Sequence, residues 1–281
     1  MKNGRGLRMD SAAMHMKHAA EHIFERKSVV KGHEALAEAL NRSLGFINLD
    51  VLKRNMLCAG NGIIQLAKNE NNPLLSGEWA SRRGFRLERE SIEFVNQTQN
   101  CCNPLGKTEN VNFEFKSPEQ RRVVLETLNN RDKVYAIRGC AGAGKTTALS
   151  EIRKGLEAAG REAVYLAPTA GAVEVLRKDG FTNATTVDYF LLKGKNELSN
   201  DAVIIIDESS LKSTEMGAAV FAAARNARLL LIGDTRQHVS VEAGDFLRVL
   251  EQHSSKGECF LSLPKLPDWA WGPLSLLVSM Y

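Results

Sequence analysis

The chain has 281 residues, enough for one large or two modest cores. With 43% hydrophobic and 25% charged residues and no apolar run long enough to cross a bilayer, it reads as a globular, cytoplasmic protein rather than a membrane one. The basic N-terminus lacks the apolar stretch of a secretory signal, and a net charge of +4 permits nucleic-acid binding without arguing for it.

In chain order, residues 9–28 place Met9, Ala12, Ala13, Met16, Ala19, Ala20 and Ile23 on one face, which predicts an amphipathic helix. His15, His18 and His22 fall on another side, and His18 to His22 spells H-x-x-E-H, a pattern some metallopeptidases use for zinc. No third ligand is nominated nearby, so the favoured reading is a solvated helix face. A second helix is predicted over 36–44, ended by Gly45, and a third over 48–66 with Leu49, Leu52, Met56 and Ile63 or Ile64 inward. Residues 69–77 carry loop signals, 82–97 form a charged amphipathic helix, and 100–112, with Pro104 and Gly106, is the candidate linker. Five cysteines without a C-x-x-C pair indicate reduced thiols.

From Ser117 the signals sharpen. Ser117, Pro118 and Gln120 supply an N-cap, a proline in the first turn and a carboxamide at the third helical position, predicting a helix to about residue 129. Gln120 can complete the cap or hydrogen-bond both donor and acceptor atoms of adenine. A buried strand over 134–138 then runs into Gly139-x-x-x-x-Gly144-Lys145-Thr146, and a helix opens at Lys145. Glycines at 139, 142 and 144 let backbone N–H groups turn inward around phosphate oxygens, Lys145 adds charge, and the Thr146 hydroxyl suits Mg²⁺. Ala143 and Thr147 complete the loop and the first helical turn.

Further strands are predicted over 163–167, 202–206 and 228–232, with helices over 170–179, 187–192 and 244–251. The uninterrupted apolar run before Asp207-Glu208 suits a strand buried on both faces of a parallel sheet. At its tip Asp207 can hold Mg²⁺ through water and Glu208 can polarise an attacking water. Gln237 follows the next strand, where a neutral carboxamide can sense a γ-phosphate or simply belong to a polar turn before the helix over 244–251. Thr169 stands in a turn where it either caps a helix or meets a phosphate backbone, and Thr185 and Thr186 open the short helical segment over 187–192.

Taken in order, SPEQ, GCAGAGKT, APT, IIIDES and IGDTRQ resemble the Q motif and motifs I, Ia, II and III of superfamily 1 helicases, closest to the RecD-like branch. HIFERKSVV (22–30) and GDTRQHVSVEAGDFLRVLE (233–251) are similar to the helicase part of MobF-type conjugative relaxases, over most of residues 19–253. The resemblance implies an α/β, RecA-like P-loop NTPase domain with a central, mainly parallel sheet, preceded by a mostly helical N-terminal region. It divides the chain into a helical accessory region (1–112), a first motor lobe (113–255) and an atypical, disordered tail (256–281). It further implies ATP and Mg²⁺ as cofactors and single-stranded DNA as partner, with ATP hydrolysis coupled to translocation and no membrane association. By motif, Gln120 reads adenine; Gly139, Gly142, Ala143, Gly144, Lys145, Thr146 and Thr147 hold phosphates; Thr146 and Asp207 serve Mg²⁺. Glu208 becomes the general base, Gln237 couples γ-phosphate to DNA, and Thr169 and Thr185 face the DNA.

The departures shape the expectation. Neither a nucleophilic-tyrosine domain with its three-histidine cluster nor a second RecA-like lobe with arginine fingers is found. Such fingers are worth about 10³–10⁵ in rate, so their absence is expected nearly to silence hydrolysis. The rival reading is an active DNA-dependent ATPase whose second lobe comes from another polypeptide, such as other conjugation proteins, or from self-association. The tail, with LPDWAWGPLSLLVSMY, reads as a truncated or frameshifted end. The alternatives are a nucleotide- or DNA-binding module without turnover and, more remotely, the zinc peptidase.

Overall fold

The computed structural model describes residues 3–24, 27–44, 46–58, 62–67, 72, 74–109, 111–112, 117–139, 144–193, 198–199, 201–207, 213–224, 226–233, 246, 250 and 260–263, and only the backbone of 3–11, 67, 138, 139, 207 and 260–263. They fall into two compact units.

The first unit comprises Met1–Glu90, Lys212–Met216 and Ser240–Phe246. Helices α1 (Asn3–Phe24), α2 (Gly32–Arg42) and α3 (Leu49–Met56) pack together beside a small antiparallel sheet of β1 (Val29–Lys31), β3 (Glu78–Ser81) and β2 (Ile63–Ala67), in the order β1-β3-β2. The apolar stripe of α1 supplies Ala12, Met16 and Ala19, each at most 1% exposed, against Leu36, Leu52 and Trp79. Gly32 is required at the turn into α2, because a Cβ there would lie 1.7 Å from the Leu74 carbonyl oxygen, which accepts from Trp79 Nε1 at 3.2 Å.

Two sequence expectations change here. The helix predicted over 48–66 stops at Met56, and Ile63–Ala67 is instead a strand. Ile63 and Ile64 fit helical spacing, but Gly62 at φ 82° turns the chain, and Ile64 then pairs with Ala80 across the ladder. Likewise β1 and β3 were not foreseen, since strands of three and four residues are too short for alternation to register. The other helix, α4 (Arg82–Gln97), begins where the sequence placed it.

The second unit comprises Ser91–Leu211, Gly217–Val239 and Leu247–Tyr281. Its sheet is parallel throughout in the order β6-β5-β7-β8-β4-β9: β4 (Val134–Gly139), β5 (Ala163–Ala167), β6 (Ala184–Thr186), β7 (Val203–Asp207), β8 (Arg228–Gly233) and β9 (Phe260–Leu263). Unbroken apolar runs occupy the centre as the two-sided burial of parallel strands requires: Val203, Ile204 and Ile206 are fully buried, and every residue of β8 is buried. Helices α5 (Pro118–Asn129) and α6 (Lys145–Ala158) pack against each other through Leu128, Ile152 and Leu156, all 0% exposed, while α7 (Ala170–Lys178) and α8 (Val187–Leu192) follow β5 and β6. Phe181, also fully buried, stacks at a tilt on Tyr165 with ring centroids 4.7 Å apart; burial of a ring that size contributes about 1.5–3 kcal/mol. Helix α9 (Thr214–Ala223) precedes β8.

The irregular stretch 100–112 is fastened to this unit rather than slack. Leu105 is 2% exposed in the core, Gly106 N–H donates to Leu128 O and Lys107 N–H to Gly155 O, each at 2.9 Å. The tail expected over 256–281 also contains structure: Phe260–Leu263 extends the sheet beyond β4, with Ala136 opposite Phe260 and Gly139 opposite Leu263. A four-residue strand on an exposed ladder carries little sequence signal, and the pairing edge of β4 decides it. Residues 264–281 lie outside the described residues, as does most of the helix predicted over 244–251, of which Phe246 and Leu250 are described, both helical and 2% exposed.

Candidate nucleotide-binding site

Strand β4 ends at Gly139 and α6 begins at Lys145, with Gly144 as its N-cap at φ 75°, ψ 32°. That left-handed conformation costs a residue with a Cβ about 1–2 kcal/mol, so glycine is the residue that lets the chain turn from strand into helix here. Gly144 provides no capping side chain, and no acidic residue occupies the first turn of α6. By contrast, Ser117, Thr169 and Thr186 cap α5, α7 and α8 with their side chains. Within the described residues, the α6 terminus at the sheet's carboxyl edge thus has neither a capping side chain nor a first-turn carboxylate, the arrangement that receives an anion. Lys145 is half-buried there, and Thr146 and Thr147 are exposed. Cys140, Gly142 and Ala143 lie outside the described residues.

Asp207 closes β7 opposite Ile232 of β8, which in turn lies opposite Ile137 of β4. Asp207 thus ends at the same edge as the glycine turn, two strands away, a lateral separation of about 10 Å from strand spacing. The end of β7 at Asp207 and the start of α6 at Lys145 therefore share one edge of the sheet. Glu208 and Gln237 lie outside the described residues.

The remaining candidates separate by role. Gln120 is 3% exposed at the third position of α5, and its backbone N–H donates to Ser117 Oγ at 3.4 Å, so the predicted cap is present. Thr169 Oγ1 accepts from Ala172 N at 3.2 Å and caps α7. Thr185 sits within β6 opposite Leu166, while the neighbouring Thr186 caps α8 through Tyr189 N at 3.2 Å. Thr169, in the turn after β5, and Thr185, inside β6 rather than in a turn, both lie on the far side of β7 from the glycine turn. Tyr189 is 54% exposed on α8. At the other end of the histidine question, His22 Nδ1 lies 3.0 Å from Glu38 Oε1, and no group of three metal-ligating side chains gathers among the described residues.

Residues 116–261 match the family described as AAA domain, just over half the chain. The chain belongs to that AAA-domain family. The match runs past residue 253, where the sequence likeness was expected to end, and includes the start of β9. Its motif set is superfamily 1 helicase-like. The chain is 30% identical over 228 residues to the conjugal transfer protein TraA of Agrobacterium fabrum, an overlap of 78% of this chain and 20% of that protein. It is 25% identical over 228 residues to the conjugal transfer protein TraA of Rhizobium radiobacter, with the same coverage, and 29% identical over 137 residues to a probable conjugal transfer protein TraA of Sinorhizobium fredii. The AAA-domain chain thus spans a fifth or less of the length of these relatives.

Proposed function

We propose that this AAA domain is the ATP-binding first motor lobe of a DNA helicase of conjugative transfer. The observation that carries the reading is the uncapped N-terminus of α6, opened by Gly144 in the left-handed conformation and flanked by Lys145, with Asp207 at the same sheet edge. The loop from Gly139 through Gly142, Ala143 and Gly144 wraps the phosphates, with Thr147 beside it in the first turn. Lys145 binds the β- and γ-phosphates, and Gln120 holds the adenine edge. Thr146 and Asp207 hold Mg²⁺, which when bound neutralises phosphate charge and orients the transferred group. Glu208 positions and deprotonates the attacking water, and Gln237 links the γ-phosphate to the DNA-binding edge. Thr169, Thr185 and Tyr189 face single-stranded DNA across β5 and β6. Likeness to conjugal transfer proteins supports the process; the whole-protein activity would also draw on segments those longer relatives possess.

Steady-state ATP hydrolysis with Mg²⁺, with and without single-stranded DNA, tests the reading alongside fluorescent-nucleotide binding. DNA-stimulated turnover that falls about a hundredfold or more in Lys145→Ala is the expected result for a working lobe. Nucleotide binding without turnover assigns a binding module that needs a second lobe in trans, and no nucleotide binding overturns the proposal.

A further inference from the structure

The first unit carries a cleft of about 760 Å³ beside the start of α4, lined by Lys17, Arg82, Arg83 and Arg86, with Glu21 and Glu215 on the same walls. Its cations sit where helix electrostatics disfavour them. Arg82 and Arg83 open α4, whose first turn carries no acidic residue, so two arginines start from the positive end of the helix dipole. Arg82 is held there by a hydrogen bond from Nη2 to Ile63 O at 3.3 Å, and the cap is neutral, Ser81 Oγ accepting from Gly84 N at 3.2 Å. The competing ion pairs are loose and exposed: Lys17 to Glu21 at 3.9 Å and Arg86 to Glu90 at 3.6 Å. Pairs of that kind exchange for another anion at little cost.

A smaller hollow of about 70 Å³ shares Phe24, Ser81 and Glu215 with the cleft and extends it over Val29, Leu66 and Phe85. These three apolar side chains are 43%, 44% and 48% exposed, so an aromatic ring stands open beside the basic cleft. Cations in a channel next to an exposed ring are what sequence-tolerant single-strand binding uses: charge follows the phosphates and the ring stacks a base.

We infer that this cleft is a single-stranded DNA site separate from the nucleotide-binding lobe, with Arg82, Arg83 and Arg86 engaging phosphates and Phe85 stacking a base. The choice of DNA as the polyanion rests on the motor-lobe reading above; the site itself rests on the arginines and the ring. No sequence motif announced it, since RRGFR in a charged helix reads as a solvated face.

The test is fluorescence anisotropy of a fluorescein-labelled oligothymidylate with the full chain, without nucleotide, across a salt series. The double variant Arg83→Ala/Arg86→Ala is expected to bind about tenfold more weakly, with a log–log salt slope shallower by about 1.4, two phosphate contacts at about 0.7 each. Arg83→Lys/Arg86→Lys should keep most of the affinity. Phe85→Ala should lose about tenfold with an unchanged salt slope, because stacking releases no counterions. Arg122→Ala/Arg131→Ala, removing the same charge from the second unit, should bind as the unaltered chain does. The inference is overturned if the cleft variants bind normally, if the control pair loses as much, or if Phe85→Ala is silent. A normal ATPase in those same variants would then leave the motor reading standing, whereas loss of nucleotide binding in the unaltered chain would remove that reading alone.

Discussion

Arg228 shows how much one buried side chain organises. At 5% exposure its guanidinium donates from Nε to Asp132 O at 3.0 Å, from Nη1 to Asn103 O at 2.7 Å, and from Nη2 to Asn130 O at 2.9 Å. Burial lowers its pKa, yet the planar fork satisfies three carbonyl oxygens that turn toward the beginning of β8. Arg228→Leu is expected to destabilise the chain by about 3 kcal/mol or more in urea denaturation, since three acceptors lose their donor, and Arg228→Lys to recover only part of it. Tyr165 is the opposite case. Its hydroxyl is buried without a hydrogen-bond partner among the described residues, and burial raises its pKa. In the unfolded chain the phenol ionises near its ordinary value of about 10, while the folded state keeps the proton. The stability linked to this raised pKa is fully present below that pH and falls as pH rises above it. Tyr165→Phe should therefore melt no lower than the parent at neutral pH and lose less stability in alkaline melts.

At the scale of elements, the helix start with a side-chain cap and a first-turn proline was legible, whereas the helices predicted over 9–28, 36–44 and 48–66 run Asn3–Phe24, Gly32–Arg42 and Leu49–Met56. Ser117 and Pro118 place the start of α5 to the residue, because a hydroxyl and a proline satisfy or remove the same unpaired donors in any fold. Ser117→Ala should cost about 1 kcal/mol in thermal or denaturant unfolding, the usual worth of such a cap. The α5–α6 contact carries a stricter demand. A Cβ on Gly155 would lie 2.5 and 2.7 Å from the Leu128 methyl carbons and 2.7 Å from Lys107 O. Gly155→Ala should thus destabilise by about 1–3 kcal/mol despite raising helix propensity, and the sign of the change in melting temperature checks it. Short strands were illegible for the converse reason: β1, β6 and β9 have three, three and four residues, too few for a pattern, and ladder partners create them.

For the whole molecule, two separate apolar clusters, one around Leu36, Leu52 and Trp79 and one around Leu128, Ile152 and Ile205, give each unit its own core. Leu52→Ala, at a fully buried position, should remove about 2–5 kcal/mol from the first unit. Fluorescent-nucleotide titration of that variant at a temperature below its first melting transition should still give the parent affinity, since the proposed nucleotide residues all belong to the second unit.

The sequence by itself determined the parallel-sheet class, the four long strands, the glycine turn and the family. Each depends on local chemistry: unbroken apolar runs, a left-handed glycine and a helix cap read the same way wherever the chain later goes. Only the tertiary structure decided that Ile63–Ala67 is a strand, that 100–112 is bound to the core and that Phe260–Leu263 completes the sheet. Those outcomes depend on which edge or cavity is left open by residues distant in sequence. The arginine cleft belongs to the same class, for Lys17 and Arg83 become neighbours only when α1 and α4 meet around one hollow.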